Sequence, residues 1–303
     1  MEVMNEFGTV MRLNIPCIST GIYENWEYEG NLKSATGLSL IALLIVFSLI
    51  IFEKFSRRKT KRWSDNPASL DSQGWVLKKH RAFFAIIVTL FPPTFAIGIP
   101  CFWVLLNFDQ LNKGLTTELL SLSLKTISLG LITSLIAVIF SLILSLANRK
   151  NKNLFLKLIT YPAGIGYAIP GSVLAITLVT IFSSRFTLIS VCLLIWGYVI
   201  RFLTISKGSI DSALERISPT LDEAANGLGS DWFDIMRRIH LPLLKGPIFV
   251  GSLLVFVDTI KELPISFIYR PFNFDTLSVR IYQYAVDERI AEAILPVLII
   301  IIL

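Results

Sequence analysis

Apolar runs of eighteen residues or more recur along this chain. That is the length a helix needs to cross a hydrocarbon core about 30 Å thick. Inside lipid no water satisfies a free N–H or C=O, so each crossing stretch must be helical. Seven segments are expected, at 35–52, 82–106, 123–147, 158–182, 187–206, 248–268 and 291–303. The predicted fold class is an all-α polytopic membrane protein with about six to seven transmembrane helices. The last segment gives only ~20 Å of helix at 1.5 Å per residue, and it reads as incomplete. Composition agrees: the mean hydropathy is +0.66, and 17% charged residues are few for the surface of a soluble domain of this length.

The net charge of +6 raises nucleic acid as a partner, and the distribution of the charge argues against it. Placing loops 53–81, 148–157 and 207–247 in the cytoplasm puts 18 basic residues there and seven on the other side. This is the asymmetry that orients membrane helices. The cluster Arg57, Arg58, Lys59, Lys61 and Arg62 is either a topology anchor or a contact with anionic lipid. Cys17, Cys101 and Cys192 lie far apart with no paired spacing, and His80 and His240 flank no second ligand. No metal site is predicted. Residues 1–34 are polar and mixed, and a small-residue cleavage site does not follow the first apolar run, so no cleavable signal peptide is expected.

The loop 207–247 carries the strongest motif: Glu223-Ala224-Ala225, Gly229 after three residues, Ile239 after nine more, then Leu241-Pro242. Pro219 precedes a helical stretch from Leu221 to Leu228, with Asp222 and Glu223 in its first turn, where the helix dipole favours acids. Gly229 permits a tight reversal. Ser230 or Asp231 then caps a second short helix running through Arg238, which Pro242 is expected to stop. The product is a helix–turn–helix outside the membrane, between two spans.

This spacing resembles the cytoplasmic signature of ABC-importer permeases. The resemblance implies the type I importer permease fold and a coupling hairpin docked on an ABC ATPase dimer. Glu223, Ala224, Ala225, Gly229, Ile239, Leu241 and Pro242 are then the coupling residues. No Gly-rich phosphate loop ending in Lys-Ser or Lys-Thr occurs. ATP would be hydrolysed by the partner, and no cofactor is expected on this chain.

Three further stretches narrow the resemblance. Tyr167-Ala168-Ile169-Pro170-Gly171 lies in the fourth span behind Pro162, Gly164 and Gly166, where the helix should break. The break either exposes backbone to a cavity or is a packing kink. Lys261-Glu262-Leu263-Pro264 sits late in the sixth span, and Arg270-Pro271-Phe272-Asn273-Phe274-Asp275 follows. Together these resemble the second half of ferric-iron permeases, whose relatives carry thiamine or phosphonates. Asp258, Lys261 and Glu262 would each cost roughly 2.5–3.5 kcal/mol facing lipid at the bilayer centre. They therefore either line a translocation pathway, with Tyr167, Pro170 and Gly171, or snorkel to the outer interface. Lys261 is expected to pair with an acid.

An offset echo links Glu6-Phe7-Gly8 and Thr20-Gly21-Ile22-Tyr23 to Glu262-Leu263-Pro264 and Arg280-Ile281-Tyr282. On that reading residues 1–52 are the end of a preceding repeat. Residues 53–81 are a basic cytoplasmic linker, and 82–303 are a permease domain containing the loop 207–247. The implied protein is a multi-pass importer subunit of the bacterial inner membrane, for ferric iron or for thiamine, phosphonate or another small solute. It would work with an ATPase dimer, a periplasmic binding protein, a second permease half and the lipid bilayer. A membrane-embedded enzyme is the alternative from another class, and a truncated, non-functional remnant is a third reading. A membrane enzyme would need converging nucleophile–base or ligand sets within the spans, which the sequence does not show.

Overall fold

The computed structural model describes residues 6–57, 77–108, 117–150, 153–182 and 187–303. Among these every regular element is helical. The first three helices are α1 (Gly8–Arg12), α2 (Ile18–Glu27) and α3 (Leu32–Arg57), followed by α4 (Lys79–Leu106) and α5 (Thr117–Lys150). Next come α6 (Leu154–Ala163), a 3₁₀ turn (Gly166–Ala168), α7 (Gly171–Ile181) and α8 (Thr187–Leu214). A cytoplasm-assigned hairpin contains α9 (Pro219–Gly227) and α10 (Trp232–Ile235), and a π turn (Met236–His240) leads into α11 (Leu241–Ile260). The chain then builds α12 (Pro264–Tyr269), α13 (Leu277–Val286) and α14 (Ile290–Ile302).

Among the described residues, five helical stretches are long and apolar enough to cross a membrane: Leu32–Phe52, Lys79–Leu106, Glu118–Lys150, Ile189–Leu214 and Trp232–Ile260. Gly171–Ile181 and Ile290–Ile302 are shorter apolar helices. The expected fourth span, 158–182, is thus two short helices separated by an irregular stretch, as its Pro and Gly content predicts. The expected sixth span is displaced towards the N-terminus. Its helix ends at Ile260, and Lys261 and Glu262 lie in the turn before α12.

The core is a bundle of α5, α8 and α11, closed by α7 and α12. Leu129 and Ala137 of α5 meet Leu194, Tyr198 and Phe202 of α8, Val255 of α11, Leu174 and Leu178 of α7, and Ile265 and Tyr269 of α12. Where α5 crosses α8 the residues are small: Ser141 and Ser206 share a hydroxyl contact, and Ser206 Oγ also donates to the Ala137 carbonyl at 3.3 Å. Ser209 Oγ donates to the Pro247 carbonyl of α11 at 2.9 Å. Lipid supplies no hydrophobic drive between helices, so close approach and interhelical hydrogen bonds hold such crossings.

A second cluster docks α1–α3 onto this bundle. Phe7, Ile22, Tyr23, Ala35 and Ala42 pack against Val173, Ala175 and Ile176 of α7 and Ile268 of α12. Helix α4 differs: none of its membrane-length window is buried by the rest of the chain. The linker assigned to 53–81 falls chiefly on 58–76, outside the described residues.

Candidate functional site: an exposed hairpin and a charged cavity

The hairpin is built from local signals. Ser218 caps α9, its Oγ accepting from the Thr220 N–H at 3.3 Å, and Pro219 opens the helix where its missing N–H costs nothing. The helix ends with paired hydrogen bonds, Ser230 N–H to the Ala225 carbonyl and Gly229 N–H to the Asn226 carbonyl, each 3.0 Å. This Schellman closure needs a left-handed residue, and Gly229 supplies it at φ +84°. Asp231 then caps α10, its Oδ1 accepting from the Asp234 N–H at 2.8 Å.

Pro242 does not stop the second helix. The chain stays helical from Trp232 to Ile260, with a π turn at Met236–His240 just ahead of the proline. The wider π turn takes up the ring and the missing N–H that would break an α-helix there. The hairpin's second arm is therefore continuous with a membrane helix. No residue of α9 is buried: Glu223, Ala224 and Gly229 are exposed, and Ala225 is half-buried. Ile239 and Leu241 are half-buried at the π turn, and Pro242 is exposed. Leu221, Leu228 and Phe233 of the hairpin are exposed apolar side chains.

At the other end of the bundle lies a cavity of about 650 Å³. Tyr167, Asp258, Lys261 and Glu262 line it, together with Glu6 and Arg12 from the start of the chain and Arg201 from α8. Lys261 Nζ pairs with Asp258 Oδ1 at 2.7 Å on the more open side. Glu262 Oε1 pairs with Arg201 Nη1 at 2.7 Å, and these side chains are only 6% and 5% exposed. The same oxygen accepts the Ile265 N–H at 3.2 Å, so the carboxylate also sits on the first turn of α12. The Glu262 carbonyl accepts from Ser266 Oγ at 2.9 Å and Ser278 Oγ at 2.7 Å, binding α12 and α13 to this corner.

Pro170 and Gly171 are not on the cavity wall. Both are buried, and Gly171 lies against the ion pair. A Cβ on Gly171 would lie 2.2 Å from Arg201 Nη1 and 2.9 Å from Glu262 Oε1, so the break between α6 and α7 makes room for the pair. Arg201 is the residue that sequence reasoning passed over. A single arginine inside Leu194-Ile195-Trp196-Gly197-Tyr198-Val199-Ile200-Arg201-Phe202 is the available signal, because an ionisable group at that depth needs a partner.

No family model matches the chain. It is similar to the Fe(3+)-transport system permease protein FbpB 2 of Haemophilus influenzae, 23% identical over 304 residues. That match takes in 97% of the chain, which spans 59% of the relative's length. The resemblance to ferric-iron permeases carried by the motifs therefore extends along nearly the whole sequence, and the chain is an all-α, multi-pass membrane protein similar to that permease.

Proposed function

We propose that the chain is the transmembrane permease subunit of an ATP-driven importer of the bacterial inner membrane, with ferric iron as its cargo. A cytoplasmic ABC ATPase dimer would hydrolyse the ATP, a periplasmic binding protein would deliver the ion, and a second permease half would complete the pathway. The observation that carries this reading is the hairpin: a short helix bearing Glu223-Ala224-Ala225, with no buried residue, turned at Gly229 into a second arm that runs without a helical break into a membrane helix. An exposed lever rooted in a bundle suits a partner that pushes on it.

The cavity suits brief passage of a hard cation. Ferric ion prefers oxygen donors, and the carboxylates here are Glu6, Asp258 and Glu262, the last two each tied to a base. Burial pushes the Tyr282 phenol on the cavity wall above its ordinary range, and that of nearby Tyr23 likewise, so neither offers a phenolate at neutral pH. Residues 1–52 and 82–303 are proposed as parts of two repeats. In support, the helix pattern of α1, α2 and α3 recurs in α12, α13 and α14.

The test is purification with an ATPase, followed by ATP-dependent uptake of labelled ferric ion, thiamine and phosphonate into proteoliposomes. Association with the ATPase and uptake of iron alone is the expected result. Uptake of another solute reassigns the cargo, and no association removes the importer reading. Transport at the normal rate by Glu262→Gln would show that this carboxylate does not gate the path.

A further inference from the structure

We propose that Asp222, with Arg149 and His240, is the joint that transmits the hairpin's movement to three membrane helices; this rests on the importer reading above. The signature residues of α9 face outwards, which leaves open what fastens the lever to the bundle. Among the described residues, Asp222 is the α9 side chain that makes a hydrogen bond or ion pair to a membrane helix.

Its two oxygens have different partners. Oδ2 accepts from Arg149 Nε, at the end of α5, at 2.8 Å. Oδ1 lies 3.1 Å from His240 Nε2 at the root of α11, in ion-pair range though off the line of a hydrogen bond. Other donors of Arg149 reach the last residue of α8 and the turn that leads into α9. Nη1 donates to the Leu214 carbonyl at 2.7 Å, and Nη2 to the carbonyls of Ile217 at 3.1 Å and Ser218 at 3.4 Å. The last carbonyls of a helix lack intrahelical partners, and a guanidinium fork satisfies several at once. One carboxylate and one guanidinium thus bind α5, α8 and α9 at a single point, with the His240 ring at the root of α11 set against it.

The surroundings make the point stiff. Arg149 and Asp222 are 14% and 17% exposed, and His240 is fully buried beside the Trp232 ring. Immediately beneath, Leu146, Ile210, Leu214 and Leu244 form an apolar cluster drawn from the same three membrane helices. A close-packed cluster transmits displacement and does not absorb it. Tilting α9 therefore pulls on three helices together. Asp222 is a positioning residue on this account, since it touches no cargo.

The test reads ATP hydrolysed per labelled ferric ion in proteoliposomes holding the permease and its ATPase. Asp222→Ala is expected to keep the ATPase bound and hydrolysing while raising ATP consumed per ion about tenfold. Asp222→Glu, which restores a carboxylate, is expected to return within about threefold of the unaltered protein. An unchanged ratio in Asp222→Ala, or loss of the ATPase from the complex, overturns the joint.

If the unaltered permease binds no ATPase, the importer reading fails instead, and a second measurement decides the joint alone. Spin labels are placed at Leu228→Cys and Ile143→Cys, with Cys17, Cys101 and Cys192 replaced by serine. A narrow distance distribution is expected with Asp222 present, broadening at least about twofold in Asp222→Ala as the hairpin loosens. Equal widths would show that Asp222 does not hold the lever.

Discussion

Near the start of the sequence a five-residue helix, a ten-residue helix and a long apolar helix follow one another as α1, α2 and α3. In α12, α13 and α14 the same order returns with six, ten and 13 residues. Glu6-Phe7 stands before the first set and Glu262-Leu263 before the second. The two arms are nevertheless fastened differently. Glu262 is buried against Arg201, whereas Glu6 is exposed and accepts the Thr9 N–H at 3.0 Å. One position on, the order reverses. Phe7 is fully buried, its ring centroid 5.6 Å from Tyr23, 5.9 Å from Phe267 and 6.2 Å from Tyr282, while Leu263 is half-buried. Where a neighbouring helix supplies a cation, the arm is pinned by charge. Where the described residues supply none, aromatic packing does the work.

The largest expected effect would break this contrast at its charged end. Arg201→Ala leaves Glu262 buried without its partner and should cost about 3–5 kcal/mol of stability, read by reversible unfolding in mixed micelles. Glu6→Gln, at the matching place in the other arm, should leave the unfolding midpoint unmoved. Equal losses would mean that both arms rest on their carboxylates.

Phe7→Ala tests the aromatic end and should cost about 3–4 kcal/mol, with Leu263→Ala nearer to about 2. The reverse ranking would show that the N-terminal arm is not held by Phe7. Gly171→Ala sharpens the charged end from behind. Its Cβ would displace Arg201 or Glu262, and about 1–3 kcal/mol should be lost. In Arg201→Ala most of that loss should vanish, because the displaced guanidinium is already gone. Additive losses would mean that Gly171 serves the backbone and not the pair.

Hydropathy alone located α3, α4, α5, α8 and most of α11, because lipid leaves a buried backbone no other choice than helix. The hairpin was legible through local chemistry: Pro219 as an opener, Gly229 as a left-handed stop and Asp231 as a cap. Pro242 misled, because whether a proline ends a helix depends on the turn before it, and the π turn at Met236–His240 carries no sequence mark. Asp258, Lys261 and Glu262 could be placed near one another from their spacing. Arg201 could not be assigned to Glu262, since the two are 61 residues apart and meet only through the packing of α8 against α12. His240, which occupies a variable slot in the motif, and Arg149 were passed over for the same reason. Their partners belong to other helices.

The smallest effect sharpens the comparison where the arms should agree. In each ten-residue helix a threonine ties down the first turn, at the N-cap in α13 and at the third helical position in α2. Thr276 Oγ1 accepts the Val279 N–H at 3.4 Å at the start of α13. In α2, Thr20 reaches backwards, its Oγ1 accepting the Cys17 N–H at 2.9 Å. Both hydroxyls are buried, so replacing either with valine keeps the volume and strands one N–H, at about 1 kcal/mol. The two variants should therefore lower stability equally, although their threonines stand at different places in the turn. A loss from Thr276→Val with none from Thr20→Val would mean that α2 is held by the Phe7 cluster alone, and the likeness of the arms would then extend to helix order and no further.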